Sequence, residues 1–175
     1  MEFFDSHAHY NDEKFNQDKQ EILKEVYNSG ITKLICAGYN LEASKQAIDI
    51  ANSYDYVYAS VGISPNDIYN AKEDNFNNIL ENQLEEIKKI AKNKKVVAIG
   101  EIGLDYYWNK ENKLEQKQTF KKQIEIANDL ELPIIIHTRE AVYDTLEILK
   151  NEIMSIKKGV FHCCPLNLDL IREGL

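Results

Sequence analysis

Several residue types are scarce in this sequence. Its 175 residues include three cysteines, three prolines and seven glycines, which excludes disulfide scaffolds, collagen-like chains and proline-rich disordered chains. An odd number of cysteines gives no disulfide framework, and we expect the adjacent Cys163 and Cys164 to be buried packing residues rather than zinc ligands. The remaining composition, 43% apolar and 29% charged, predicts that residues 1–175 form a single globular domain.

Positive charge is also scarce. The chain has 21 basic and 29 acidic residues, a formal net charge of −8, and only two arginines, Arg139 and Arg172. A protein that holds DNA mainly through basic side chains should carry a basic stripe, and none is visible. If the substrate is a nucleic acid, we therefore expect metal ions, and not basic side chains, to bind its phosphates.

Long apolar segments are absent. The longest apolar runs, such as residues 134–136, are far too short to cross a bilayer. Residues 1–7 contain no basic leader followed by an apolar core, so we expect neither a signal peptide nor a membrane partner. Together with the unpaired cysteines, this predicts a cytoplasmic protein.

Short apolar runs alternate regularly with amphipathic stretches. The short runs predict strands at residues 3–4, 33–37, 56–61, 96–99, 134–136 and 160–161. The stretches between them predict helices over residues 18–29, 41–53, 76–91, 113–129, 140–156 and 167–175. Such alternation is typical of parallel βαβ units, which build both doubly wound sheets and (β/α)8 barrels.

Two observations favour the barrel. No Gly-x-Gly-x-x-Gly follows the first predicted strand, which weakens the dinucleotide-binding version of a doubly wound sheet. A complete barrel takes about 250 residues, and the sixth strand–helix unit is in progress at residue 175. We therefore predict an α/β fold, a (β/α)8 TIM barrel truncated to about six βα units. Its exposed sheet edges make self-association one expected outcome, and the oligomeric state stays open.

All four histidines stand at or just after the end of a predicted strand: His7, His9, His137 and His162. The carboxyl ends of barrel strands converge on one mouth, where active sites lie. His7 and His9 are two residues apart, so both imidazoles point to one side of an extended strand and can reach one metal ion. Asp5 has the same parity and is expected to hold an imidazole N–H.

Glu101 follows the apolar strand that begins at residue 96. A carboxylate at such a position is costly to bury unless it is paired or coordinated, and its two oxygens can bridge two cations about 3.5–4 Å apart. We predict that Glu101 is both a metal ligand and the catalytic residue. Asp105 is either a hydrogen-bond acceptor that supports a ligand or an exposed acid. Arg139, at the same mouth, is a candidate phosphate-binding residue.

With these residues assembled, the sequence resembles the TatD family of metal-dependent hydrolases. The resemblance is carried by residues 5–12 (DSHAHYND), 61–65 (VGISP), 100–108 (GEIGLDYYW), 132–141 (LPIIIHTREA) and 161–163 (FHC). It implies a (β/α)8 barrel with two divalent metal ions (Mg²⁺, Mn²⁺ or Zn²⁺) that acts as a deoxyribonuclease on DNA, often from the 3′ end. The ligands implied by motif are His7 and His9 for one ion, His137 and His162 for the other, and Glu101 as the bridge.

Three departures from the family pattern bear on this expectation. Ser64 stands where the family usually has histidine, and residues 164–166 (CPL) stand where it commonly has Phe-Ser-Gly. The family's acidic metal ligand, an aspartate on a late strand, lies beyond residue 175. We therefore expect this chain by itself to be weakly active or inactive.

Two other functions stay open. The same kind of site could hydrolyse an ester or amide, such as D-aminoacyl-tRNA, and a substrate panel would separate this activity from DNA hydrolysis. The chain could also be a non-catalytic metal-binding fragment, which the absent aspartate favours. If a His7→Ala variant kept its turnover, the catalytic interpretation would fail.

Overall fold

Strands and helices alternate along the whole chain in the structure, a computed structural model that describes residues 1–68, 75–152 and 159–173. The strands are β1 (Phe3–Ala8), β2 (Ile31–Ala37), β3 (Val57–Val61), β4 (Val96–Asp105), β5 (Ile134–Arg139) and β6 (Gly159–Phe161). The helices are α1 (Lys19–Asn28), α2 (Leu41–Ser53), α3 (Phe76–Ile90), α4 (Lys113–Asp129), α5 (Val142–Asn151) and α6 (Leu168–Glu173). Short 3₁₀ helices, Glu13–Phe15 and Pro65–Asp67, follow β1 and β3.

The six strands form one parallel sheet in chain order, with β1 at one edge and β6 at the other. Parallel neighbours need a crossover connection, which the intervening helices provide. The sheet curls so strongly that the carboxyl ends of its edge strands meet. The imidazole of His7 in β1 stacks on that of His162, directly after β6, with ring centroids 3.9 Å apart. The predicted arrangement of about six parallel βα units around a common mouth is therefore confirmed.

Three strands end at least three residues later than predicted, among them β5, which ends at Arg139 and not at residue 136. β1 continues to Ala8 and β4 to Asp105, although polar residues interrupt both apolar runs. β4 stays extended because its carboxyl half pairs with β5, with Gly103 opposite His137 and Asp105 opposite Arg139. This pairing, which hydropathy does not reveal, carries the polar residues to the mouth.

The helices begin and end near the predicted positions. The fifth, predicted over residues 140–156, begins at Val142 and is described as far as Asn151. Residues 153–156, and residues 174–175 of the sixth predicted helix, lie outside the described part of the chain. Among the described helices, none is both long and apolar enough to cross a membrane.

The strands are apolar on both faces because helices cover one face and the interior of the curled sheet buries the other. On the helix side, α4 contributes Phe120 and Ile124 to a large buried cluster. A second cluster includes Ile35 and Ile135, each of which lies between two residues of the first cluster along its strand. Opposite faces of the same strand therefore both need apolar side chains.

The two edge strands carry exposed apolar side chains. Phe3 and Phe4 of β1 and Val160 of β6 are exposed, and no further strand of the described ranges pairs with either edge. Edges of this kind favour pairing with another chain. Self-association stays a prediction.

The prediction that Cys163 and Cys164 are buried packing residues is wrong. Both are exposed, whereas Cys36 is fully buried in β2. The pair lies in the turn after the edge strand β6, where Cys163 has φ +45°, and side chains in such a turn face solvent. All three thiols are free, as the odd cysteine count indicated.

A buried glutamine ties α4 to the loop that follows β3. The Oε1 atom of Gln123 accepts a hydrogen bond from the N–H of Ile63 at 2.7 Å, and its Nε2 donates to the carbonyl of Ile63 at 2.9 Å. Gln123 has no exposed surface. It therefore satisfies two peptide groups beyond the end of β3, where strand pairing has ceased.

We expect Gln123→Leu to lower the free energy of unfolding by about 2–4 kcal/mol, because it leaves a buried N–H and a buried carbonyl unpaired. Urea denaturation measures the change. The matched control is Gln46→Leu, at an exposed position of α2, with an expected change within about 0.5 kcal/mol. Equal losses in the two variants would contradict the role given to Gln123.

Candidate metal centre

Five of the predicted site residues come together at the carboxyl ends of the strands. His7 lies in β1, Glu101 in β4 and His137 in β5, while His9 and His162 directly follow β1 and β6. Parallel strands in a curled sheet all direct these ends to one mouth. The cluster is largely buried, with the side chains of His7 and Glu101 each 9% exposed.

The Glu101 carboxylate lies at the centre of the cluster. Its Oε2 atom is 3.3 Å from His7 Nε2 and 3.5 Å from His9 Nε2. Its Oε1 atom is 2.9 Å from His137 Nδ1 and 3.3 Å from His162 Nε2. Each oxygen of one carboxylate therefore faces its own pair of imidazole nitrogens.

Within each pair the two imidazoles approach closely. His7 Nε2 and His9 Nε2 are 3.0 Å apart, and His137 Nδ1 and His162 Nε2 are 3.2 Å apart. Two imidazoles that bind one tetrahedral Zn²⁺ at about 2.0–2.1 Å place their nitrogens about 3.3–3.4 Å apart. Each pair is thus spaced to share one cation, a proton or a metal ion.

Hydrogen bonds orient two of the imidazoles through their other ring nitrogen. His9 Nδ1 donates to the carbonyl of Ala37 at 3.1 Å, and His137 Nε2 donates to the Asp105 carboxylate at 2.9 Å. In the neutral imidazole, with its proton held there, the lone pair lies on the nitrogen that faces Glu101, where a metal ion could bind. Metal-binding histidines in proteins are usually held in this way.

Glu101 is ionised in spite of its burial. Burial alone would raise the pKa of this carboxyl, but hydrogen bonds from His137, His162, His7 and His9 outweigh it and hold the pKa below the usual range. The carboxylate is therefore available as a ligand at neutral pH and below it.

The histidines respond differently to the same carboxylate. The hydrogen bond to Glu101 raises the pKa of His9. Burial opposes protonation of His137, but the hydrogen bonds to Glu101 and Asp105 prevail and raise its pKa. For His7 burial prevails, so its pKa is lowered. The protons that Glu101 attracts to His9 and His137 are those that a metal ion would displace.

The chemistry of this donor set fits divalent metal ions. Imidazole nitrogen and carboxylate oxygen are the ligands of Zn²⁺ and of other first-row divalent ions. Donor atoms of His7, Glu101 and His162 all lie within 4.8 Å of one another. His9 and His137 extend this group on either side of the Glu101 carboxylate.

The two aspartates near the cluster have different roles. Asp105 is fully buried and accepts the hydrogen bond from His137 described above, so the structure places it among the supporting acceptors and not in solvent. The carboxylate of Asp5 accepts a hydrogen bond from the main-chain N–H of His7 at 3.0 Å, not from an imidazole. The buried His7 Nδ1 has no hydrogen-bond partner among the described residues.

Neither Arg139 nor Ser64 is part of the cluster. Arg139 is exposed at the end of β5, and its guanidinium carbon is 3.7 Å from the centroid of the Tyr107 ring. Ser64 is buried, and its hydroxyl donates to Asp67 at 3.0 Å and accepts from the N–H of Asn66 at 3.2 Å. The Ser64 hydroxyl is therefore engaged in capping the short 3₁₀ helix.

Sequence reasoning missed the amides that position Asp105. The Oε1 atom of Gln116 accepts from the N–H of Asp105 at 2.8 Å and its Nε2 donates to the Asp105 carbonyl at 2.9 Å. Asn66 Nδ2 donates to the Asp105 carboxylate at 3.4 Å. The sequence does contain a sign of these buried amides. Gln116 and Gln123 are seven residues apart and therefore share the face of α4 that carries Phe120. Amides on a buried helix face need partners in the interior.

The whole motif-bearing part of the chain matches one family. Residues 4–175 match the sequence model of the family described as TatD related DNase. The chain belongs to the TatD family. The resemblance inferred from the motifs at residues 5–12 to 161–163 is thereby confirmed.

Curated relatives of the TatD chain include hydrolases and an exonuclease. The uncharacterised metal-dependent hydrolase YabD of Bacillus subtilis is 35% identical over 170 residues, which are 97% of this chain and 64% of the relative. The 3′-5′ ssDNA/RNA exonuclease TatD of Salmonella typhimurium is 29% identical over 163 residues, 91% of this chain and 58% of the relative. This TatD chain spans about three fifths of the length of the curated relatives it matches.

Solved structures share the fold of the TatD chain. YJJV, a TatD homologue from Escherichia coli K12, superposes with a TM-score of 0.85 at 25% identity, covering 98% of this chain and 64% of that one. A TatD family hydrolase from Entamoeba histolytica gives a TM-score of 0.81 at 24% identity, covering 99% and 63%. The prediction of a TIM barrel of the metal-dependent hydrolase type is confirmed.

We expect the TatD chain to bind divalent ions through Glu101. In calorimetric titration with Zn²⁺ or Mn²⁺, Glu101→Gln should weaken binding by about 10–100-fold, because the amide offers one oxygen where the carboxylate offers two. Glu125→Gln, at an exposed position of α4, is the matched control and should bind like the unsubstituted chain. Equal affinities of the two variants would show that Glu101 is not a ligand.

Proposed function

We propose that the domain formed by residues 1–175 carries the site of a metal-dependent 3′-5′ deoxyribonuclease, which hydrolyses phosphodiester bonds of single-stranded DNA with two divalent ions. The observation that carries the proposal is the position of Glu101, whose two oxygens each face a separate pair of imidazoles. A carboxylate between two ligand sets is the geometry of two-metal hydrolytic sites. The Salmonella typhimurium relative is a 3′-5′ ssDNA/RNA exonuclease, which supports the choice of substrate.

The proposed ligand sets follow the two imidazole pairs. His7 and His9 would hold one ion, His137 and His162 the other, and Glu101 would bind both. Imidazole-rich donors suit Zn²⁺ or Mn²⁺ better than Mg²⁺, which prefers oxygen ligands. Ions bound there would supply Lewis-acid activation of the phosphodiester and of a water molecule.

The protein itself contributes rigidity at this centre. Asp105 and the carbonyl of Ala37 fix the orientation of His137 and His9, so two ligands have little freedom to turn away. Glu101 stays ionised, and both of its oxygens can accept at the same time. We assign Glu101 as the catalytic residue because, among the described residues, its carboxylate lies between the two proposed ligand pairs and faces both.

The charge of the chain is consistent with a site of this kind. A formal net charge of −8 repels a polyanion over most of the surface. The mouth differs, because four imidazoles surround one carboxylate there and can gather positive charge at a single point. Binding of a phosphodiester is thus favoured at the cluster and disfavoured elsewhere.

We expect residues 1–175 to hydrolyse a 5′-labelled single-stranded DNA oligonucleotide slowly, in keeping with the weak activity expected from the sequence, and to give a ladder that shortens from the 3′ end. Activity should disappear with EDTA and return with excess Mn²⁺, because the reaction needs the ions. A 3′-terminal phosphorothioate linkage should slow the degradation. Electrophoresis of the labelled products measures both effects.

Variants of two glutamates test the assignment of the site. Glu101→Gln should lower kcat by about 100-fold or more, with circular dichroism unchanged, while the exposed Glu125→Gln should retain full activity. Activity that survives EDTA would refute the metal-dependent reaction. Hydrolysis of D-aminoacyl-tRNA without any release of nucleotides from DNA would overturn the assigned substrate.

A further inference from the structure

An exposed aromatic surface lies beside the metal centre. It consists of Tyr107, Trp108 and Arg139, which we call the aromatic platform. Tyr107 is 46% exposed and Trp108 is 68% exposed, and their rings meet edge to face with centroids 4.8 Å apart. The guanidinium carbon of Arg139 is 3.7 Å from the Tyr107 centroid and 5.4 Å from the Trp108 centroid. One cation and two aromatic faces are therefore presented together to solvent.

The platform is tied to the metal centre through Asp105. One carboxylate oxygen of Asp105 accepts from the N–H groups of Tyr107 and Trp108 at 2.9 and 3.0 Å. The other accepts from His137 Nε2 at 2.9 Å. A single buried side chain therefore fixes both the turn that carries the aromatic rings and an imidazole of the cluster.

The strand β5 also connects the platform to the cluster. Arg139 follows His137 by two residues in β5, and its carbonyl accepts the N–H of Tyr106 at 2.9 Å. The cationic part of the platform is thus attached to the same strand end as a proposed ligand.

The Arg139 guanidinium is available to an anion. It forms no ion pair with any carboxylate of the described residues, whereas the nearby Lys110 is paired with Glu140 at 3.6 Å. Its face lies on the Tyr107 ring, so its N–H edge stays free for bidentate contact with phosphate.

We propose that the aromatic platform binds one nucleotide of a single-stranded polynucleotide next to the phosphodiester held at the metal centre, with the base on Trp108 and a phosphate on Arg139. This inference rests on the proposed function and adds the substrate contact that selects unpaired strands. Aromatic side chains stack on any base, but a base must be unpaired to expose its face to them. The platform accordingly favours single strands of either DNA or RNA with little sequence preference.

Trp108 reports on its own contact, because it is the single tryptophan of the 175 residues. In Mg²⁺, its fluorescence is titrated with oligothymidylate whose linkages are phosphorothioates, to prevent hydrolysis. We expect saturable quenching. An abasic oligomer of the same length and charge should bind more weakly and leave the fluorescence unquenched. Equal affinity for the two oligomers would overturn the stacking role.

Substitutions separate stacking from general attraction to charge. By anisotropy of labelled oligothymidylate, Trp108→Ala and Arg139→Ala should each weaken binding about 10-fold, and Trp108→Phe should restore most of the loss. Tyr27→Ala is the aromatic control. Tyr27 has the same exposed fraction as Tyr107 of the platform, 46%, and it touches another aromatic ring. Arg172→Ala, at the other arginine, is the matched cationic control. Both controls should stay within about twofold of the unsubstituted protein.

Turnover on the same preparations distinguishes the two proposals. If DNA is hydrolysed normally and Trp108→Ala binds as tightly as the unsubstituted protein, the platform inference is wrong while the proposed function stands. If oligothymidylate binds with quenching but is not hydrolysed, the proposed function is wrong while base binding at the platform is supported. Loss of binding in the Tyr27→Ala control equal to that in Trp108→Ala would also overturn the platform.

Discussion

A buried carboxylate is the constraint on which the arrangement of this molecule depends. Glu101 lies in the interior of the mouth, where an isolated negative charge would cost far more than a folded domain can tolerate. Its ionised form is maintained by imidazoles that come from three other strand ends, those of β1, β5 and β6. These groups can surround one carboxylate only if the sheet curls until its edges meet. The curvature of the whole sheet thus brings the imidazoles to the charged Glu101 carboxylate.

Main-chain groups near the mouth explain the buried polar residues of α4. An amphipathic helix that covered an apolar sheet would carry only apolar residues on its inner face, whereas α4 buries Gln116 and Gln123. Both amides serve main-chain groups that the strands leave unpaired near the mouth. Through Gln116, the helix layer holds Asp105, which in turn holds His137. The order of the metal centre is therefore supported from outside the barrel as well as from its strands.

Much of this could be predicted from the sequence, because each predicted feature has a local signature. Alternating apolar runs and amphipathic stretches revealed the βα units, and His7, His137 and Glu101 were conspicuous as polar residues at the ends of apolar strands. The length of β4 and the environment of Cys163 were not predictable in this way. Pairing with β5 extends β4. No further strand of the described ranges lies beside β6, so the turn after β6 is left uncovered. The contact of Gln116 with the main chain of Asp105 was not predictable either, because it depends on how α4 packs on β4 and joins residues that are eleven positions apart.

The acidity of the chain determines what kind of contact can add affinity for a polyanion. With a net charge of −8, long-range attraction is unavailable, and each further basic residue at the mouth would compete with metal ions for phosphate. The proposed stacking of a base on Trp108 would add affinity without adding charge, and it would be weakened less than ion pairing as the salt concentration rises. Arg139, which forms no ion pair with the carboxylates of the described residues and lies next to two aromatic rings, would supply one phosphate contact and leave discrimination to the rings. An acidic surface with a localised cationic centre and a neutral stacking face, as proposed here, would therefore disfavour duplex DNA, whose bases are already stacked, and favour a single strand.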